Sequence, residues 1–307
     1  MALAPGKLVL SGAYAVLDGA PAVVTAVNRY VLADASRPPT FVTPEVSAAL
    51  DARGGGAAPW FDASALRDQG RKLGLGSSSA IVVASLAALE LSASPHRSTQ
   101  ALQQAVFLPA LRAHRAAQGG GSGIDVAAAV FGGTLLARRR GEALEVVPVS
   151  LPPGLHLEVW SAGTSASTAA LLGCVARLAR EDAALHRALL EPQADAALLA
   201  AAALRAGDLE TLLDALSRQC ESLAALGRAA GAPIVTAEVR ELHAHARLGG
   251  GVVLPSGAGG GDVALYAGAA APTASLRKAA DASGYVPIEG LRVDARGMHS
   301  TEAAGDT

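Results

Sequence analysis

The chain has 307 residues, 51% of them hydrophobic and 17% charged, with a formal net charge of -2; that is enough chain for a sizeable core, most simply two domains, and too apolar a composition for extended disorder. The near-neutral balance gives no electrostatic reason to expect nucleic acid or an anionic membrane as a partner. No stretch nears the roughly 18 uninterrupted apolar residues of a membrane span, and the N-terminus lacks the order of a signal peptide, so a cytoplasmic protein is expected.

In chain order, Leu3 to Gly12 reads as a strand interrupted early by Pro5-Gly6. Asp18-Gly19 signals a turn, and the runs Val23-Val24-Thr25 and Tyr30-Val31-Leu32 read as antiparallel strands. Asp34 to Pro59 carries Pro38, Pro39, Pro44 and Gly54-Gly55-Gly56. That composition predicts short edge pieces and a mobile loop.

The stretch Lys72-Leu73-Gly74-Leu75-Gly76-Ser77-Ser78-Ser79-Ala80 runs glycines and hydroxyls straight into an apolar helix expected over 77–92. Gly74 and Gly76 reach backbone angles closed to other residues, so successive amide N–H groups converge on one point, and the helix N-terminus adds its own donors and dipole. Such a stretch is a phosphate cradle or, taken alone, an ordinary capped Gly-Ser turn. Its three serines supply hydroxyls that cap the helix, bond phosphate oxygens or hold magnesium. Among 25 basic residues only Lys7, Lys72 and Lys278 are lysines, and the first two sit beside glycine-rich loops. A compact ammonium suits a tight phosphate site in a way a planar guanidinium does not.

Ser98 to Gln118 has helical spacing of apolar residues, with Pro109 as a point of kinking, and breaks at Gly119-Gly120-Gly121. Ser122-Gly123-Ile124-Asp125 then places one carboxylate in an apolar neighbourhood, and Asp125 reads equally as a helix N-cap and as a catalytic group. A strand is expected over 131–137 and another from Leu155 to Trp160. After it come five Ser or Thr in the eight residues Ser161 to Thr168, more than one cap requires, which marks a second anion site.

Helices are expected over 168–180, 193–205, 208–230 and 233–247, punctuated by Pro192, Gly207 and Gly231. His243 and His245, two apart on a helix, diverge too far to share a metal and read as surface residues. Cys174 and Cys220 read as buried small hydrophobes without a disulfide. Val252-Val253-Leu254 leads to Pro255-Ser256-Gly257-Ala258-Gly259-Gly260-Gly261-Asp262, a glycine run between strands that lets backbone approach a ligand closely. A helix over 273–282, a strand near 286–293 and a disordered tail from Gly297 close the chain.

Three separated glycine-rich loops now stand in one order, and together they resemble the GHMP kinase superfamily of galactose, homoserine, mevalonate and phosphomevalonate kinases. Ala4-Pro5-Gly6-Lys7 with Tyr14-Ala15-Val16-Leu17 is similar to its first motif, Gly74-Leu75-Gly76-Ser77-Ser78-Ser79-Ala80 to the second, and Ser256-Gly257-Ala258-Gly259-Gly260-Gly261 to the third. Ala113-His114-Arg115 and Gln118 before Gly121-Ser122-Gly123-Ile124-Asp125, Trp160 with Ser165-Ala166-Ser167-Thr168, and Asp262 lean towards the phosphomevalonate branch.

The resemblance implies an α+β, two-domain fold: a ribosomal-protein-S5-like, ATP-binding domain over 1–149 and a ferredoxin-like domain over 150–307. It implies ATP and Mg2+ as cofactors. Lys7 and Asp125 would be catalytic, Lys72, Gly74, Leu75, Gly76, Ser77, Ser78 and Ser79 would bind ATP, and Ser78 would also ligand the magnesium. Tyr14, Ser122, Gly123, Ser165, Ser167, Thr168, Ser256, Gly257, Ala258 and Gly259 would meet the acceptor, with Arg115 or Arg138 gripping its phosphate or carboxylate. The implied partner is a small phosphorylated substrate, 5-phosphomevalonate, with mevalonate or another small alcohol as the alternative and a non-catalytic nucleotide-binding protein as a different class. Monomer and homodimer are both compatible. Two positions depart from the family pattern: Ala13 stands where glutamate often follows the first motif's glycine, and Leu254 where lysine often precedes Pro-Ser-Gly.

Overall fold

The computed structural model describes residues 1–68, 70–162 and 168–301. Its first stretch runs β1 (Ala2–Ser11), β2 (Pro21–Asp34), α1 (Pro44–Ala52), β3 (Trp60–Asp62), β4 (Arg67–Asp68), β5 (Arg71–Lys72), α2 (Ser77–Ala93), α3 (Thr99–Gln118) and α4 (Ile124–Phe131). There follow β6 (Thr134–Arg140), β7 (Ala143–Val149), β8 (His156–Ala162), α5 (Thr168–Glu181), α6 (Ala183–Ala206), α7 (Leu209–Ala230) and α8 (Ala237–Arg247). The chain closes with β9 (Val252–Pro255), β10 (Val263–Gly268), α9 (Ala274–Ala282), β11 (Tyr285–Pro287) and β12 (His299–Ser300). One sheet has the order β12-β1-β2-β6-β7 with β3 on β2, and a second the order β11-β8-β10-β9.

Two compact units divide the chain. The first comprises residues 1–8, 24–135 and those from Arg292 onward, the second 9–23 and 136–291.

In the first unit, α2 is buried on nearly all sides, from Ala80 through Ala88, which is why its sequence is apolar throughout rather than along one stripe. The segment expected to be irregular holds α1. Pro44 occupies the first helical position, where its missing N–H is no loss, and the Thr43 hydroxyl accepts from Val46 N at 3.3 Å, a cap worth about 1 kcal/mol. The two runs read as separate strands form one continuous strand, β2. The end of the described chain is ordered too: Met298 is buried, its N–H reaches the Ala129 carbonyl at 3.0 Å, and His299 pairs with Leu3. That order comes from pairing with the chain's first strand, a partner nearly 300 residues away that no local signal announces.

In the second unit, β8, β9, β10 and β11 form an antiparallel sheet with Trp160 fully buried on β8. The strand expected near 286–293 is only β11. Pro192 does not end a helix but lies inside α6, whose buried face of Leu190, Ala196, Ala197, Ala200 and Leu204 is continuous past it. Burial of that stripe outweighs the one backbone bond proline removes. Cys220 is buried, and burial pushes its thiol up to about 12; Cys174 is only half-buried, and neither is in a disulfide.

His243 is the clearest correction in this unit. It is 9% exposed rather than on the surface, its Nδ1–H donating to the Val253 carbonyl at 2.7 Å and its Nε2 accepting from Ser217 Oγ at 3.3 Å. The Val253 carbonyl holds a hydrogen on Nδ1, and burial keeps the ring below the ordinary histidine pKa. The unfolded chain therefore takes up this proton first as pH falls. Stability contributed by His243 is complete above the unfolded value of about 6.5 and is lost as pH drops through the lower folded value. Thermal melts between about pH 7.5 and 5 should show the wild type losing more stability than His243→Asn, which keeps a donor to Val253. Parallel slopes would contradict the assignment.

Candidate active site

The residues read as a phosphate cradle lie within the first unit. The Lys7 backbone N–H donates to the Leu75 carbonyl at 2.8 Å, and Lys7 Nζ approaches the Gly74 carbonyl at 3.4 Å. Gly76 caps α2 in the left-handed region, φ 78°, and a Cβ there would lie 2.9 Å from both Cγ and Cε of Lys7. Glycine is thus required twice over, for its angle and for the lysine that crosses it. No serine side chain caps α2; Ser79 Oγ instead donates to the Gly76 carbonyl at 2.8 Å and stiffens the turn. The first N–H groups of α2 stay available for an anion.

Asp125 is not the cap of α4, a position that Gly123 takes, but sits in its first turn with Oδ1 accepting from Val126 N at 3.0 Å. Its other oxygen, Oδ2, is 3.3 Å from His114 Nε2, and the same nitrogen is 3.3 Å from Ser78 Oγ. One buried imidazole on α3 therefore meets the hydroxyl opening α2 and the carboxylate opening α4. Arg115, next to it, donates from Nε to the Gly121 carbonyl at 3.2 Å and from Nη2 to the Ser122 carbonyl at 3.0 Å. These bonds hold the loop before α4, and Ser122 Oγ accepts from Ile124 N at 3.5 Å. Lys72 is exposed in the β4–β5 ladder opposite Arg67.

The remaining predicted residues belong to the second unit. Ser256 is buried, accepting from Val9 N at 3.0 Å and donating to the Val9 carbonyl at 3.2 Å. Tyr14 stands at φ 63°, unusual for a bulky residue, and its hydroxyl donates to the Ala258 carbonyl at 2.7 Å; burial pushes its pKa up. Gly259 has φ 83°, and a Cβ there would run into the Ile234 carbonyl oxygen, so the Gly257-Ala258-Gly259 turn is packed tightly against backbone. Arg138 Nε donates to the Gly19 carbonyl at 2.8 Å. Thr168 is the exposed first residue of α5, and Ser165 and Ser167 lie outside the described residues.

Two polar residues escaped assignment from sequence. His114 continues the buried stripe Leu102, Val106, Ala110 at four-residue spacing, so a histidine on a core stripe was the available signal. Gln219 left no local signal: its Oε1 accepts from Ser11 Oγ at 3.2 Å and Gly12 N at 3.3 Å. The two departures, Ala13 and Leu254, line one small cavity together with Gln219.

Residues 63–133 match the family described as GHMP kinases N terminal domain. The chain is 30% identical to the phosphomevalonate kinase of Streptomyces sp. (strain CL190), over 93% of its own length and 95% of that protein's. It belongs to the GHMP kinase family, a family of phosphotransferases. The α+β fold is that of the family's solved structures: the phosphomevalonate kinase of Streptococcus pneumoniae in complex with phosphomevalonate and AMPPNP superposes with a TM-score of 0.73 at 20% identity, covering 95% of this chain and 99% of that one. The Lin0012 protein from Listeria innocua superposes with a TM-score of 0.80 at 23% identity, covering 98% and 100%.

The loop geometry fits a nucleotide's phosphates, since a left-handed glycine turn backed by lysine opens a buried helix. Among the described residues no group of three or more His, Cys, Asp or Glu is placed to hold a metal. A magnesium ion, which keeps several waters and phosphate oxygens in such sites, needs only a hydroxyl such as that of Ser78. Gly76→Ala should fold but lose about 1–2 kcal/mol of stability and weaken ATP binding by about tenfold as Lys7 is displaced. Unchanged affinity by calorimetry would contradict the cradle.

Proposed function

We propose that the protein is an ATP-dependent phosphomevalonate kinase, transferring the γ-phosphoryl group to the phosphate of 5-phosphomevalonate to give the diphosphate and ADP. The observation that carries this reading is the cluster of Ser78, His114 and Asp125 at the start of α2, following a glycine turn crossed by Lys7. The likeness to phosphomevalonate kinases supports the choice of acceptor.

Transfer of a phosphoryl group asks for in-line positioning and neutralisation of spread negative charge more than for a strong base. The N–H groups at Gly74 to Ser79 hold the phosphates of ATP, and Lys7 offsets charge on the transferring oxygens. Magnesium, held through Ser78, supplies further neutralisation when bound. A phosphate monoester already presents an ionised oxygen, so Asp125 orients the acceptor more than it deprotonates it. Arg115 keeps the Gly121–Ser122 backbone in place beneath that carboxylate. Ser165, Ser167 and Thr168 supply hydroxyls for the substrate's own phosphate or carboxylate.

The test is a coupled ADP-release assay with magnesium and ATP on mevalonate, 5-phosphomevalonate, galactose and homoserine side by side. Turnover only with 5-phosphomevalonate is expected, and turnover with mevalonate alone would overturn the acceptor assignment. Lys7→Met and Asp125→Asn should each cut kcat by at least about a hundredfold. Near-normal rates in either folded variant would refute that residue's role.

A further inference from the structure

His114 is 7% exposed, and its Nδ1 is buried with no hydrogen-bond partner among the described residues, while its Nε2 faces two oxygens, Ser78 Oγ and Asp125 Oδ2, at 3.3 Å each. The proton arrangement follows from these contacts. With the hydrogen on Nδ1, the ring would bury an unpaired N–H and turn a bare nitrogen lone pair towards a carboxylate oxygen; both are unfavourable. With the hydrogen on Nε2, one N–H meets both oxygens, and Nδ1 is left as a buried lone pair, the smaller of the two penalties.

That tautomer fixes more than the ring. A serine oxygen that accepts from His114 must turn its own O–H away from the ring, leaving one lone pair and one donor for whatever lies beyond. The carboxylate of Asp125 is pinned at both ends, Oδ1 on Val126 N and Oδ2 on the imidazole. Ser78, His114 and Asp125 come from three different helices, so nothing local sets their relative directions.

We propose that His114 is a positioning residue for phosphoryl transfer: its single Nε2–H, shared between Ser78 and Asp125, sets the direction in which both present their free lone pairs. This rests on the kinase reading given above. The residue touches neither nucleotide nor acceptor in the proposal and acts only through its two neighbours. A shared donor of this kind removes two rotational freedoms before substrate arrives, and orientation is where such an active site gains most of its rate.

Two variants separate the donor from mere packing. His114→Gln retains an N–H near the place of Nε2, whereas His114→Leu fills similar space without one. In the same ADP-release assay kcat should stay within about tenfold of wild type for Gln and fall about a hundredfold for Leu, with the KM for ATP changed little in either. Equal kcat in the two variants, at any level, overturns the proposal, and thermal melts confirm that both are folded. Nitrogen-15 NMR of the wild-type protein supplies a readout independent of any acceptor: the His114 ring should carry its hydrogen on Nε2 and a bare Nδ1, and a hydrogen on Nδ1 overturns the inference whether or not the kinase reading stands. Absence of wild-type turnover with every acceptor would count against the kinase reading alone.

Discussion

At Gly6 and Lys7 the first strand lies so close to the second glycine loop that neither backbone leaves room for a side chain on the facing surface. A Cβ on Gly6 would come within 2.7 Å of the Leu75 carbonyl oxygen, and one on Gly76 within 2.9 Å of the Lys7 side chain. The Lys7 N–H to Leu75 bond closes this contact. Everything proposed for the phosphate loop depends on it, because it brings an ammonium to the mouth of a helix whose own sequence contains no charge before Glu90. The dipole and free N–H groups of α2 favour an anion there, and the lysine raises that preference in a setting partly shielded from water.

Around this contact the helices contribute rigidity. The N-terminus of α2 is embedded in core, α3 delivers His114 and Arg115 from successive positions, and α4 begins at the carboxylate they help to hold. The polar groups of the site therefore ride on packed helices rather than on free loops, which is the condition for holding reacting groups to fractions of an ångström. In the second unit the third glycine loop is tied down in the same spirit, through Ser256 to Val9, Gly260 to Ile234 and Tyr14 to Ala258. Several residues that the motif pattern marks for substrate contact thus spend their own polar atoms on the backbone, and they shape a surface more than they offer free donors.

What could be read from the chain beforehand divides along a physical line. Glycine at 74 and 76, a hydroxyl run and an apolar helix stand within a few residues of one another, so the left-handed glycine turn that opens α2 was visible. N-caps at Ser98, Asp208 and Thr273 are equally local, whereas proline both breaks helices and opens them, so Pro44 at the start of α1 does not by itself announce a helix. Gln219, β12 and the burial of His243 were not legible, since each is defined by partners on distant elements: β1, β1 again, and α7 with β9; for His114 only its place on a core stripe was legible, its partners lying on α2 and α4.

The central claim is that the γ-phosphoryl group of ATP ends on the acceptor's phosphate, and phosphorus-31 NMR reads that fate directly. With magnesium, ATP and 5-phosphomevalonate the protein should produce ADP together with a new pair of diphosphate doublets as the monoester signal disappears. Free inorganic phosphate in place of those doublets, or a spectrum that does not change with active-site concentrations of protein, would contradict the account.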